Sequence, residues 1–145
     1  MVRMNPMPGT APISDRDYTR ILTLRTRLRR FEHWSAQRAA EHGLTSAQHQ
    51  LLLAIRGHGG EQAPTIGQIA EYLMIGHNAA VGLADRAENL GLLRRARDDE
   101  DRRVVRLSLT AQGEEKLESL AAVHLQELTS IGPLIDALST DLTEH

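Results

Sequence analysis

The sequence predicts a mainly α-helical fold that carries one small β-hairpin. Apolar residues make up 41% of the 145 residues but aromatic residues only 3%, so the core must be built from Leu, Ile, Val and Ala. Apolar residues recur at gaps of three and four along most of the chain, as on α-helices. Near residues 104–109 they alternate with polar residues instead, as in a half-buried strand.

The N-terminal part of the chain is predicted to form a tail and two helices. Residues 1–13 lack the apolar stretch of a secretory signal and are expected to be a disordered tail. A long helix follows over about residues 14–42 and ends at Gly43, where the periodic pattern stops. Thr45 and Gln48 have the spacing of a capping box and predict that a second helix starts there.

The middle of the chain predicts two short helices joined by a turn. Thr65 and Gln68 repeat the capping-box spacing and open the first of them, and residues 74–78 form the turn. The second helix covers about residues 78–90 and stops at Gly91, a usual position for a helix to end.

Two strands and a long helix complete the prediction. Leu92–Ala96 and Val104–Leu109 read as strands joined by a charged tip, and Thr110 starts a last helical region over about residues 110–145. Gly132 and Pro133 are expected to break that helix and leave a short final turn or helix after it.

Two helices, a turn and a hairpin in this order predict a winged helix-turn-helix over about residues 44–110, with longer helices on either side. Such a module places the N-terminal residues of its second helix in the DNA major groove and uses the hairpin along the backbone or minor groove. The predicted DNA-binding residues are Thr65, Gln68, His77, Asn78, Ala79, Ala80, Gly82, Arg94, Arg102 and Arg103. Two alternatives stay open: Thr65 and Gln68 act only as a helix cap, and Asn78 is only part of a turn.

The distribution of charge supports a nucleic-acid partner, although the net charge is −2. Between Arg94 and Arg106 six arginines accompany four acidic residues, whereas Lys116 is the one lysine or arginine from Ala111 onward. A basic hairpin beside an acidic segment is an asymmetry that suits DNA.

Residues 44–117 resemble the MarR family of bacterial winged-helix regulators. The resemblance rests on Leu44–Ile55, Thr65–Leu73 and Ala80–Arg95, and most strongly on Asp98–Gly113, which is similar to the family's D-x-x-D-R-R wing followed by L-T-x-x-G. Many members have S-P-S-T before the recognition helix, where this chain has His77–Ala80, so its base preferences are left open.

The resemblance implies a homodimer that is held together by the two flanking helical regions and binds double-stranded DNA. It also implies that Arg103 is the arginine at the wing tip and that Asp101 and Arg86 brace the wing against the recognition helix. A small, often aromatic or phenolic anion would act as effector. Its predicted lining is Trp34, Arg38, His42 and His58, with Trp34 as plain dimer core the alternative.

Several other classes of function are excluded or less favoured. The absence of cysteine excludes disulfides, Cys-ligated zinc and thiol sensing. Seven histidines allow a metal-responsive sensor as an alternative, although no two have the spacing of a helical metal site, so no metal or cofactor is expected. The chain has no catalytic motif and no stretch of about 18 apolar residues, so we expect a cytoplasmic, non-enzymatic protein without membrane contact. A winged-helix module used only for protein contacts is the remaining alternative.

Overall fold

The computed structural model describes residues 11–143, with side chains left out at 134 and from 138 onward. It contains α1 (Asp15–Glu41), α2 (Ser46–Gly57), α3 (Ile66–Leu73), α4 (His77–Asn89), β1 (Leu93–Arg97), β2 (Val105–Leu109) and α5 (Ala111–Thr143). This order confirms the predicted mainly helical fold with a hairpin. Most of the predicted tail, residues 1–10, lies outside the described part of the chain.

The starts of α2 and α3 are fixed by the predicted capping boxes. In both, a threonine Oγ1 accepts the main-chain N–H of the glutamine three residues later, and that glutamine's side chain accepts the threonine N–H. The four bonds are 3.0 or 3.1 Å long. Both helices therefore start where the sequence alone predicts, because the signal is contained within four residues.

One compact unit covers Trp34–Glu127 and includes the helix-turn-helix and the hairpin. Its main core joins α2, α3, α4 and the hairpin, with Leu51, Ile69 and Leu107 fully buried. A second cluster packs the end of α1 and the start of α5 around Leu52 and Leu92. The outer parts of α1 and α5 belong to the other unit.

The hairpin is antiparallel, with Leu93 opposite Leu109 and Arg97 opposite Val105. On its other side β2 meets the chain just before α3, where the Leu107 N–H donates to the Pro64 carbonyl at 2.9 Å and Thr65 bridges Arg106. The segment before α3 thus forms an isolated β-bridge with β2, which connects the hairpin to the helix-turn-helix.

The predicted break at Gly132 and Pro133 is wrong, because α5 continues through both residues to Thr143. A proline inside a helix removes one main-chain hydrogen bond and crowds the preceding turn. These costs are local, so a helix of 33 residues can continue beyond them.

Candidate nucleic-acid interface

The start of α4 presents the residues predicted to read DNA. His77, Asn78 and Ala79 are exposed and Gly82 is half-buried. Gly76 is the N-cap and makes no side-chain capping bond, so the first turn of α4 differs from those of α2 and α3. The positive end of the helix dipole therefore coincides with an exposed imidazole and amide, which is an arrangement suited to DNA.

Ala80 does not belong to this surface. Its exposed fraction is 0%, and it packs in the core with Leu83, Ala84 and Ala87. The gaps of three and four between these positions place Ala80 on the inner face of α4. The prediction that Ala80 contacts a base is therefore wrong, because adjacent residues at a helix start point to different faces.

The tip of the hairpin is held together by Asp98. Its carboxylate accepts the main-chain N–H of Asp101 at 3.0 Å and of Glu100 at 3.2 Å, and it accepts Nε of Arg106 at 2.7 Å. Arg106 in turn donates to the Ala63 carbonyl at 2.7 Å. The hydrogen bond from Arg106 and then that from the Asp101 N–H hold the pKa of Asp98 below its usual range. Asp98 therefore stays charged and organises the turn.

Asp101 pairs with the arginine predicted at the wing tip. Nε and Nη2 of Arg103 each donate to the Asp101 carboxylate at 3.1 Å, and the Arg103 N–H donates to it as well. The hydrogen bond from the Arg103 side chain lowers the pKa of Asp101. The Arg103 side chain is nevertheless 91% exposed, so the pair aims the arginine outward rather than burying it.

Asp101 pairs with Arg103 two residues away, and the bracing of the wing against the recognition helix by Asp101 and Arg86 stays a prediction. The connection between wing and recognition helix is made by Arg95 on β1. Arg95 forms ion pairs with Asp85 and Glu88 of α4, the latter at 3.0 Å. Sequence reasoning missed this residue, and the available signal was the i,i+3 spacing of two acids on α4 before a basic strand.

The remaining predicted DNA-binding residues lie around the hairpin and at the start of α3. Arg94 and Arg102 are exposed. The side chains of Thr65 and Gln68 each accept a hydrogen bond from the other residue's main-chain N–H, so both side chains cap the start of α3. Thr65, His77, Arg95 and Arg103 nevertheless line one open cleft of about 330 Å³ between α3, α4 and the hairpin. Of the predicted DNA-binding residues, this cleft brings together Thr65, His77 and Arg103.

Three of the four predicted effector residues share one region, and the fourth does not. The Trp34 ring lies 5.0 Å from that of His124, and the His42 Nδ1–H donates to the Arg38 carbonyl at 2.9 Å. His58 instead caps the end of α2, with Nδ1 2.7 Å from the Tyr72 hydroxyl.

Two histidines that sequence reasoning did not place in this region complete it: His49 is buried and His124 is half-buried. The His124 ring contacts that of His49 with ring centroids 4.7 Å apart, and the Nε2 of His124 lies 2.6 Å from the Ser35 hydroxyl. Burial, and then the nearby His124 and His42, lower the pKa of His49. No group of three or more metal-ligating side chains suited to an ion occurs within residues 11–143 where side chains are described.

Within the described part of the chain, no helix has the length and low polarity that crossing a bilayer requires.

The two helices, their turn and the braced hairpin define a winged helix-turn-helix protein. Residues 42–104 match the model of the MarR family. The HTH-type transcriptional repressor MdtR of Bacillus subtilis is 36% identical over 80 residues, which cover 55% of this chain and half of that protein. The chain therefore spans only half the length of this curated relative.

Solved structures agree in fold. AbsC, a MarR family transcriptional regulator from Streptomyces coelicolor, superposes with a TM-score of 0.68 at 20% identity over 94% of this chain and 100% of AbsC. The MepR–DNA complex of S. aureus superposes with a TM-score of 0.67 at 18% identity over 92% of this chain and 96% of MepR. Residues 42–104 are therefore similar to the MarR family, and the fold agrees with that of AbsC and MepR.

Proposed function

We propose that this chain is a sequence-specific DNA-binding repressor that acts as a homodimer and is released from its operator by a small ligand. The observation that carries the DNA-binding part is the shared exposure of the α4 start and of Arg103 on one face of a braced module. The name of MdtR as a transcriptional repressor and the DNA in the MepR complex support the same conclusion.

Dimer formation is proposed from the apolar residues that the flanking helices leave uncovered. On α1, Tyr18 and Leu22 are 62% and 63% exposed. On α5, Leu125 is 64% exposed and Leu128 47%. Exposed apolar residues of this size, repeated along a helix, mark contact surfaces in soluble proteins. A second copy of the chain would cover them and supply a second recognition helix, so the operator would be a pseudo-palindrome with half-sites about 10 bp apart.

The effector is proposed to bind beside Trp34, Arg38 and His42. The Nε of Arg38 is buried and has no hydrogen-bond partner among the described residues, while its Nη2 pairs with Glu41 at 2.9 Å. A buried donor of this kind is satisfied by a ligand or by water in most proteins. An indole, imidazoles and a guanidinium with a spare donor together suit an aromatic anion.

The DNA-binding proposal is tested with a duplex that the wild-type protein selects from a random library. Arg103→Ala removes one charge at the wing tip and should weaken binding to every sequence, with the slope of log K against log salt reduced by about one per wing. Asn78→Ala should instead reduce discrimination, by roughly 1–3 kcal/mol at one base pair in each half-site.

Arg56→Ala is the matched control, because Arg56 is an exposed arginine on α2 whose partner is Glu114. It removes the same charge away from the proposed interface and should leave the affinity nearly unchanged. If Arg103→Ala and Arg56→Ala behave alike, the wing does not contact DNA. If Asn78→Ala weakens all sequences equally, Asn78 contacts only the backbone.

A further inference from the structure

We propose that Arg95 is a positioning residue that sets the angle of the wing against the recognition helix, so that Arg103 and the start of α4 reach the same DNA together. This inference rests on the proposed DNA-binding function. It concerns a side chain that lines the same cleft as His77 and Arg103 but is paired with carboxylates of α4, and that acts through Arg103.

The geometry around Arg95 is a two-point attachment to one helix. The Arg95 Nη2 donates to Glu88 Oε1 at 3.0 Å, and the Arg95 main-chain N–H donates to Glu88 Oε2 at 3.1 Å. The Arg95 Nη1 also contacts the Asp85 carboxylate, one turn earlier on α4. Glu88 therefore holds both the backbone and the side chain of the same strand residue, which fixes the strand in position and in rotation.

The charges indicate that Arg95 does not contact phosphate itself. Two carboxylates face one guanidinium, so the group carries a net negative charge. The hydrogen bond from Arg95 lowers the pKa of Glu88, and that from Glu88 raises the pKa of Arg95, so the Glu88–Arg95 pair stays ionised. A negative group at a DNA-binding face would weaken binding unless it had a separate role.

Because of the position of Arg95 in the hairpin, a small rotation of the strand at Arg95 displaces the wing tip. It lies in the middle of β1, opposite the buried Leu107 of β2. The tip begins a few residues further on, about 10–15 Å away at the rise of an extended strand. A tilt of about 10° at Arg95 would therefore move Arg103 by roughly 1.7–2.6 Å, which exceeds the tolerance of a hydrogen bond to phosphate.

The test compares two substitutions that each remove one negative charge. Asp99→Asn changes an exposed carboxylate at the wing tip and should leave DNA affinity unchanged or raise it, because repulsion falls. Glu88→Gln removes the same charge but loosens the attachment of Arg95, and should lower affinity. A lower DNA affinity for Glu88→Gln together with an unchanged or higher affinity for Asp99→Asn would support the positioning role of Arg95, because both substitutions change the charge equally. A gain in affinity from both would overturn it.

A double-mutant cycle with Arg103→Ala separates positioning from general destabilisation. In the wild type, losing the charge-assisted contact of Arg103 should cost roughly tenfold in affinity or more. In the Glu88→Gln background the same change should cost less than about twofold, because Arg103 is already displaced. Asp85→Asn provides a second background should Glu88→Gln fail to fold, which thermal melting of each variant would reveal.

The outcomes distinguish the two proposals. If Arg103→Ala lowers DNA affinity by the same factor in the wild-type and Glu88→Gln backgrounds, Arg95 does not position the wing. The proposal that the wing binds DNA would still stand. If Arg103→Ala has no effect in the wild type, the wing does not bind DNA, and the proposed function and the role of Arg95 fall together.

Discussion

Gly113→Ala should destabilise the protein, because the main chain of Leu92 leaves no room for a Cβ at Gly113 in the first turn of α5. A Cβ at Gly113 would lie 3.0 Å from the Leu92 carbonyl carbon and closer still to its oxygen, inside the separation that real Cβ atoms keep. The same oxygen accepts the Thr110 N–H at 3.1 Å, and the Thr110 hydroxyl donates to the Gly91 carbonyl at 2.6 Å. The obstacle is therefore main chain that is already hydrogen-bonded.

The expected cost follows from these contacts. Relieving the overlap requires a shift of about 1 Å, and overpacking of this kind costs about 1–3 kcal/mol. Loss of the hydrogen bond from the Thr110 N–H destabilises the fold by about 1 kcal/mol more. The higher helix propensity of alanine stabilises it by about 1 kcal/mol. The net loss of about 1–3 kcal/mol should lower the Tm by roughly 3–12 °C, measured by circular dichroism at fixed protein concentration.

Gly57→Ala is the control, because nothing lies within 4 Å of a Cβ built at that exposed helix end. It should change the free energy of unfolding by less than about 1 kcal/mol in either direction. A Gly113→Ala protein that melts within a degree or two of the wild type would refute the packing argument. It would mean that α5 can move away from Leu92 at no cost.

Two further predictions concern the histidine and tryptophan region. Because burial lowers the pKa of the His49 imidazole below its usual value of 6.5, the folded chain takes up this proton less readily than the unfolded chain. Stability should therefore be complete above about pH 7 and fall as the pH drops through 6.5 toward the folded pKa, a slope that thermal melts should show and that His49→Gln should flatten. Trp34 is the one tryptophan, so its emission should change when a hydroxybenzoate binds, with a parallel loss of DNA affinity and a weaker response in Arg38→Ala. An emission change without any effect on DNA would contradict an effector role.

Much of the fold could be predicted because its signals are local. The capping boxes at Thr45 and Thr65 each lie within four residues, and both were found at the predicted positions. The error at Pro133 has the opposite origin. A proline has a known local cost, but whether a helix continues past it depends on what the rest of the helix gains, and the sequence pattern does not show that.

The candidate site was less predictable because its pairings are not local. The sequence predicted Asp101, Arg103 and the start of α4 as site residues, but not which acid on α4 would pair with which arginine of the hairpin. Arg95 pairs with Asp85 and Glu88 only because the hairpin folds back against α4. Ala80 was misplaced because the helix phase had to be known to within one residue.

The acidic residues of the wing do not oppose binding to DNA in the way that the net charge suggests. The Asp98 carboxylate accepts hydrogen bonds from Arg106 and from two main-chain N–H groups, so its charge is compensated within the turn. Asp101 holds the guanidinium of Arg103, which remains 91% exposed. A carboxylate that orients an arginine costs some attraction but removes much of the entropy that a free side chain would lose on binding phosphate. A chain with a net charge of −2 can therefore present a preorganised basic tip.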